Sequence, residues 1–228
     1  MKIKLPFFIF NPKSYLYGKE LLELAKVADK LAGEIEMTIM MTAPFTELKT
    51  IRENTHNIIV SAQHMDSLKP GRGMGYIFGE SLKEIGVGAT FLNHAEHPMK
   101  FSELVATINR CKELGIISIV CADTIEDAKT LAYLTPDIIL CEPTELIGTG
   151  KTSDDNYIED TNNVIKSIND KILVMQAAGI SDANDVYRTI NLGADGTGCT
   201  SGIIKAPNPE NMLKEMIQSA NRAYIERG

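Results

Sequence analysis

The sequence predicts an α/β protein, a single-domain (β/α)8 barrel over residues 1–228. Three observations carry this expectation. Short apolar runs alternate with helix-like segments from end to end. There are eight such runs, each followed by a crossover, so 228 residues divide into units of about 28, the pattern of a parallel sheet with helices outside. The turn after the first run, Asn11-Pro12-Lys13-Ser14-Tyr15, lacks the GxGxxG signature that the competing open doubly wound sheet calls for.

The first strand is placed at residues 5–11, an apolar run too short for a signal peptide, ending in Asn11-Pro12-Lys13. Lys19–Leu31 follows as a helix, with apolar residues three and four apart. Strands at 36–43 and 57–63 come next, the second ending in Gln63-His64. The fourth, 88–93, ends in Asn93-His94-Ala95-Glu96 and leads to a helix at Lys100–Leu114. The fifth, 116–122, precedes a helix at Ile125–Leu134, and the sixth, 137–142, stops at Glu142 before a proline. The seventh, 171–178, runs into Ala177-Ala178-Gly179 before a helix at Ala183–Leu192. The eighth, 194–201, ends in Cys199-Thr200-Ser201-Gly202, and Pro209–Ala223 is the last helix.

Composition narrows the function. Hydrophobic residues make up 44% of the chain, and no apolar run approaches the roughly 20 residues needed to span a bilayer. A cytoplasmic protein without a membrane partner is expected. The four cysteines (Cys111, Cys121, Cys141, Cys199) form no CxxC pair and three lie in apolar runs, so buried free thiols are expected and a metal site is not. A net charge of −7 argues against nucleic acid. It also means that a phosphorylated substrate must be attracted by local donors, against the overall field.

In such a barrel the chemistry gathers at the C-terminal strand ends. Glu142 stands there as a general base on rigid backbone, followed by a hinged loop, Pro143-Thr144-Glu145-Leu146-Ile147-Gly148-Thr149-Gly150-Lys151. The proline fixes one end, and Gly148 and Gly150 supply freedom and bare N–H groups. An ordinary strand-to-helix connection is the alternative. Lys13 suits neutralisation of an anion, with Asn11 to orient it, or else is a solvated loop lysine. His94 reads as a neutral hydrogen-bond donor kept uncharged by a following helix N-terminus, or as a structural histidine. Glu96 pairs with Lys13 or caps a helix. His64 and His97 read as rim or interface residues and His56 as an exposed turn residue, without chemical roles. Gly179-Ile180-Ser181 and Thr200-Ser201-Gly202 present small residues whose backbone N–H groups suit a phosphate, and Gly148 adds another on loop closure.

Three segments, in order, resemble the triosephosphate isomerase family in its short, archaeal-type form. They are Asn11-Pro12-Lys13, Asn93-His94-Ala95-Glu96 and Glu142-Pro143-Thr144-Glu145-Leu146-Ile147-Gly148-Thr149-Gly150. Ala62-Gln63-His64-Met65-Asp66 and Ala178-Gly179-Ile180-Ser181 extend the likeness over essentially the whole chain. The resemblance implies a TIM barrel interconverting dihydroxyacetone phosphate and glyceraldehyde 3-phosphate without a cofactor. It implies Glu142 as the proton shuttle through an enediolate, His94 and Lys13 as its electrophilic partners, and Gly148, Gly179, Thr200 and Ser201 as phosphate binders. It further implies a homodimer or homotetramer using the segment from Gln63 to Tyr76. Four places depart from the family pattern. Ala95 replaces a serine, Pro98 an arginine, Met74 a threonine and Gln176-Ala177 a Cys-Gly pair. They leave open a related isomerase of a tetrose or other short sugar phosphate. A Schiff-base aldolase needs a lysine in the upper barrel, where only Lys13 is near. A catalytically inactive barrel has no need of Lys13, His94 and Glu142 together.

Overall fold

The structure, a computed structural model, describes residues 2–228. Its order is β1 (Phe7–Phe10), α1 (Gly18–Glu34), β2 (Thr38–Ala43), α2 (Leu48–Glu53), β3 (Ile59–Ala62) and α3 (Gly79–Glu84). It continues with β4 (Ala89–Leu92), α4 (Phe101–Leu114), β5 (Ile117–Ala122), α5 (Ile125–Ala132) and β6 (Ile138–Cys141). Last come α6 (Asp155–Ile168), β7 (Leu173–Gln176), α7 (Ala183–Asn191), β8 (Gly196–Cys199), α8 (Ser201–Ile204) and α9 (Pro209–Arg227). The strands pair in parallel in chain order and β8 returns to β1, closing a barrel.

Alternation along each strand builds two cores. Phe7 and Ile9 point into the barrel with Met40, Phe91, Ile119, Leu140 and Met175. Phe8 and Phe10 point outward and join the layer between strands and helices. All four β1 side chains are fully buried, each stabilising by roughly 1.5–3 kcal/mol. Opposite them β8 carries glycine, in register Phe7↔Gly196 and Ile9↔Gly198. A Cβ at Gly196 would lie 2.4 Å from the Phe7 ring, and one at Gly198 would lie 2.4 Å from the Ile9 carbonyl oxygen. β8 therefore lacks side chains where β1 is bulkiest. The helices present matching faces: Leu21, Leu24, Ala25, Ala28 and Leu31 of α1 are buried.

The eight strand positions agree with the sequence expectation, but their ends are shorter. The runs read as 5–11, 171–178 and 194–201 contract to Phe7–Phe10, Leu173–Gln176 and Gly196–Cys199. Thr200 and Ser201, expected at the end of a strand, instead open the single-turn helix α8. Apolar content runs past the last ladder hydrogen bond, because the strand ends still line the core while their backbone turns into loops. All four cysteines are free and buried, and burial pushes the Cys111 and Cys141 thiols up to about 12. Among the described residues no helix is long and apolar enough to cross a membrane.

Candidate active site

The loop after β1 is held from both sides. The Asn11 N–H donates to the Cys199 carbonyl (3.2 Å), tying it to the end of β8. Asn11 Oδ1 accepts the Lys13 N–H (3.0 Å), and Gln63 Nε2 donates to the Lys13 carbonyl (2.8 Å). These bonds keep Lys13 at φ +51°, a left-handed conformation that a non-glycine residue adopts at some cost. Its ammonium is ion-paired with Glu96. Burial would raise the Glu96 carboxyl, but the hydrogen bond and charge of Lys13 outweigh it and hold it below the usual carboxylate range.

The loop after β4 begins with Asn93 at φ +58°, another strained backbone at the same end of the barrel. Asn93 Oδ1 accepts the Met99 N–H (3.0 Å) and Nδ2 donates to the Cys121 carbonyl (3.3 Å). His94 Nδ1 accepts the Glu96 N–H (3.1 Å). A neutral ring with Nδ1 used as acceptor carries its hydrogen on Nε2. That nitrogen lies 3.9 Å from Glu142 Oε2. Burial first, then the charge of Lys13, depress the His94 pKa, with Glu96 opposing. The expected cause was different. No helix starts at His94; α4 begins seven residues later at Phe101, so desolvation and Lys13 keep the ring neutral.

Glu142 follows the last residue of β6, its N–H donating to the Ala122 carbonyl (2.9 Å). Burial raises its pKa, Lys13 pulls it down and Glu96 pushes it up, leaving it above the ordinary carboxylate value. The loop beyond starts at Pro143 and makes one 3-10 turn, Thr144–Leu146. Gly148 and Gly150 both adopt positive φ with open space around them. Each end of this loop is fastened. Asp123 Oδ1 accepts the Thr144 N–H (2.6 Å), and the Asp123 carbonyl accepts the Tyr157 hydroxyl (3.1 Å). At the other end Arg188 donates to Thr152 Oγ1 and to the Ser153 carbonyl (both 3.0 Å). Gly179 (φ +67°) abuts this end so closely that a Cβ there would lie 1.9 Å from the Lys151 carbonyl oxygen.

One cavity of about 320 Å³ is lined by Asn11, Lys13, His94, Glu96, Glu142, Gly148, Gly179, Thr200 and Ser201 together. The barrel thus gathers the nine residues singled out around the expected chemistry. Of the loop residues, Ile147 joins Gly148 on this wall. Gln63, Asp123, Tyr157 and Lys205 were not singled out. The first three act through contacts with residues 21 to 50 positions away, which local sequence pattern does not reveal. His64, expected as a rim or interface residue, is mostly buried on the wall of a cavity of about 590 Å³, its ring centroid 4.3 Å from that of His97 and its Nε2 3.3 Å from Asp66 Oδ1.

A family model described as triosephosphate isomerase matches residues 6–220. The chain belongs to the triosephosphate isomerase family. Relatives bearing that name include one from Methanocaldococcus jannaschii, 40% identical over 92% of this chain and 98% of the relative. Another, from Methanobrevibacter smithii, is 36% identical over 93% and 97%. A third, from Metallosphaera sedula, is 34% identical over 99% and 100%. Within the triosephosphate isomerase framework the unusual residues now have surroundings. Ala95 and Pro98 line a cavity of about 290 Å³ beside Glu142, and Ala95 has no hydroxyl to offer there. Gln176 turns away from the 320 Å³ cavity, donating to Thr161 Oγ1 (2.7 Å) and Asn162 Oδ1 (3.2 Å). Met74 is fully exposed.

Proposed function

We propose that this chain performs its family's reaction, the interconversion of dihydroxyacetone phosphate and glyceraldehyde 3-phosphate, with Glu142, His94 and Lys13 as its catalytic residues. The arrangement that supports this is the single cavity holding the three groups, with His94 Nε2 3.9 Å from Glu142 Oε2. The Glu142 carboxylate removes a proton from the carbon beside the carbonyl, and the electron pair moves onto the carbonyl oxygen to give an enediolate. His94 donates its Nε2–H to that oxygen and recovers a proton from the hydroxyl on the neighbouring carbon, which becomes the new carbonyl, while Lys13 offsets the growing negative charge. Glu142 then returns the proton to the neighbouring carbon, so no external redox partner is required. Asn11 and Glu96 fix Lys13 from its backbone and its ammonium. Backbone N–H groups of Gly148, Gly179, Thr200 and Ser201 hold the phosphate.

Pro143 through Lys151 act as a lid. An enediolate open to water loses its phosphate, so closing the lid protects the intermediate. The exposed Met74 and Tyr76 lie on the segment after β3, beside a second cavity of about 590 Å³ lined by Thr42, Gln63, His64 and Asp66. Exposed apolar residues next to such a cavity favour a homodimer or homotetramer through this face. Cytoplasmic residence fits the buried free thiols. The test is turnover by the purified protein, comparing kcat/KM for glyceraldehyde 3-phosphate with that for a four-carbon aldose phosphate. A preference for the triose is expected; a preference for the tetrose contradicts the substrate assignment.

A further inference from the structure

The charged side chains on the wall of the 320 Å³ cavity are Lys13, Glu96, Glu142 and Lys205. Lys13 is already paired with Glu96, and Glu142 must be ionised to act as a base. With His94 uncharged these three sum to −1. A sugar phosphate carries close to two negative charges at neutral pH, and the chain as a whole carries −7. The backbone N–H groups proposed above must therefore attract the phosphate against this sum, and a further cation on the wall would help them. Lys205 brings the wall to zero. Among the described residues its ammonium is in no ion pair, so its charge is not spent inside the protein.

Local geometry aims it. The Lys205 N–H donates to the Ser201 carbonyl (3.0 Å), one turn back. Residues four apart share a face, and helical side chains lean toward the start of their turn. Lys205 thus falls on the same side of the turn as Ser201, and it lines the same cavity as Ser201 and Thr200. The buried Ile203 anchors the turn that carries it. We infer that Lys205 is a phosphate-binding residue, supplying the attraction that offsets Glu96 and Glu142 and favouring phosphorylated over unphosphorylated substrates. This rests on the phosphate position proposed above.

The experiment compares the wild type, Lys205→Met and Lys205→Arg. It reads kcat and KM with glyceraldehyde 3-phosphate, kcat/KM with glyceraldehyde, and inhibition by inorganic phosphate, each at low and high salt. In Lys205→Met, KM and the phosphate inhibition constant should rise roughly five- to tenfold, with kcat nearly unchanged. The difference should shrink as salt increases, glyceraldehyde turnover should stay constant, and Lys205→Arg should restore binding. Identical KM and phosphate inhibition in wild type and Lys205→Met would overturn the role of Lys205 while leaving the phosphate site intact. An equal loss on glyceraldehyde, or a loss that arginine does not restore, would also overturn it by pointing to general damage. Failure of phosphate to compete with substrate in the wild type would remove both the site and the inference.

Discussion

Glu142 is held where burial penalises the charge it needs, and this has two measurable consequences. Its pKa is raised above 4.5, so the acid limb of the kcat/KM profile should lie above the ordinary glutamate value. A limb at or below 4.5 would show that another group sets it. For stability, a raised folded-state pKa favours folding below the unfolded value, and that contribution is lost as pH rises through the folded pKa. At neutral pH the ionised Glu142 therefore costs stability. Glu142→Gln should abolish turnover yet raise Tm by about 2–4 °C, the shift given by roughly 1 kcal/mol in a chain of this length. A lower Tm in that variant would contradict the argument. His94 and His64 behave oppositely. Their depressed pKa values give stability that is present above 6.5 and lost as pH falls through the folded values. Glu142→Asp should lower kcat about 100-fold with little change in phosphate affinity, because the carboxylate is displaced by one methylene. That Glu142, His94 and Lys13 meet in one cavity was legible in the sequence because each sits at a strand end among small or rigid residues. The cause of the depressed His94 pKa was not, since α4 starts farther on and the depression comes from burial and from Lys13, 81 positions away in the chain.

At the scale of elements, the proposed lid depends on what fastens its two ends. Asp123 belongs to the loop after β5, yet it accepts the N–H of Thr144, the second residue past Glu142. Asp123→Ala should free that N–H, cost roughly 1–2 kcal/mol of local stability and raise the phosphate released per turnover. Phosphate release at the wild-type ratio would show that this bond does not govern closure. Gly179→Ala must fail differently. Its Cβ would collide with the Lys151 carbonyl, and φ +67° already disfavours alanine. The far end of the lid should then be displaced and KM for the phosphorylated substrate raised at least tenfold, whereas an unchanged KM would mean that the cradle lies elsewhere. Most strands were readable as short apolar runs, while β8, Gly196-Thr197-Gly198-Cys199, was readable mainly from its place in the repeat. The bounds of the short helix α8 were not legible, because its first residue also reads as the end of β8 and four residues give no period to detect.

For the whole molecule, eight parallel strands return on themselves, and closure alone brings Lys13, His94 and Glu142, 129 positions apart from first to last, into one cavity. Eight-fold repetition made that closure legible; the compensation between Phe7 and Gly196 that permits it became visible only in the register. Net charge −7 leaves attraction of substrate to a few local cations. A mimic of the intermediate such as phosphoglycolate, binding the folded state alone, should raise Tm by an amount set by its concentration over Kd. The most direct measurement is isomerisation in heavy water, following deuterium on the carbons beside the carbonyl. Wild-type protein should introduce deuterium at those carbons as it interconverts the two trioses, and Glu142→Gln should do neither. Deuterium entry at the wild-type rate in Glu142→Gln would mean that another group moves the proton.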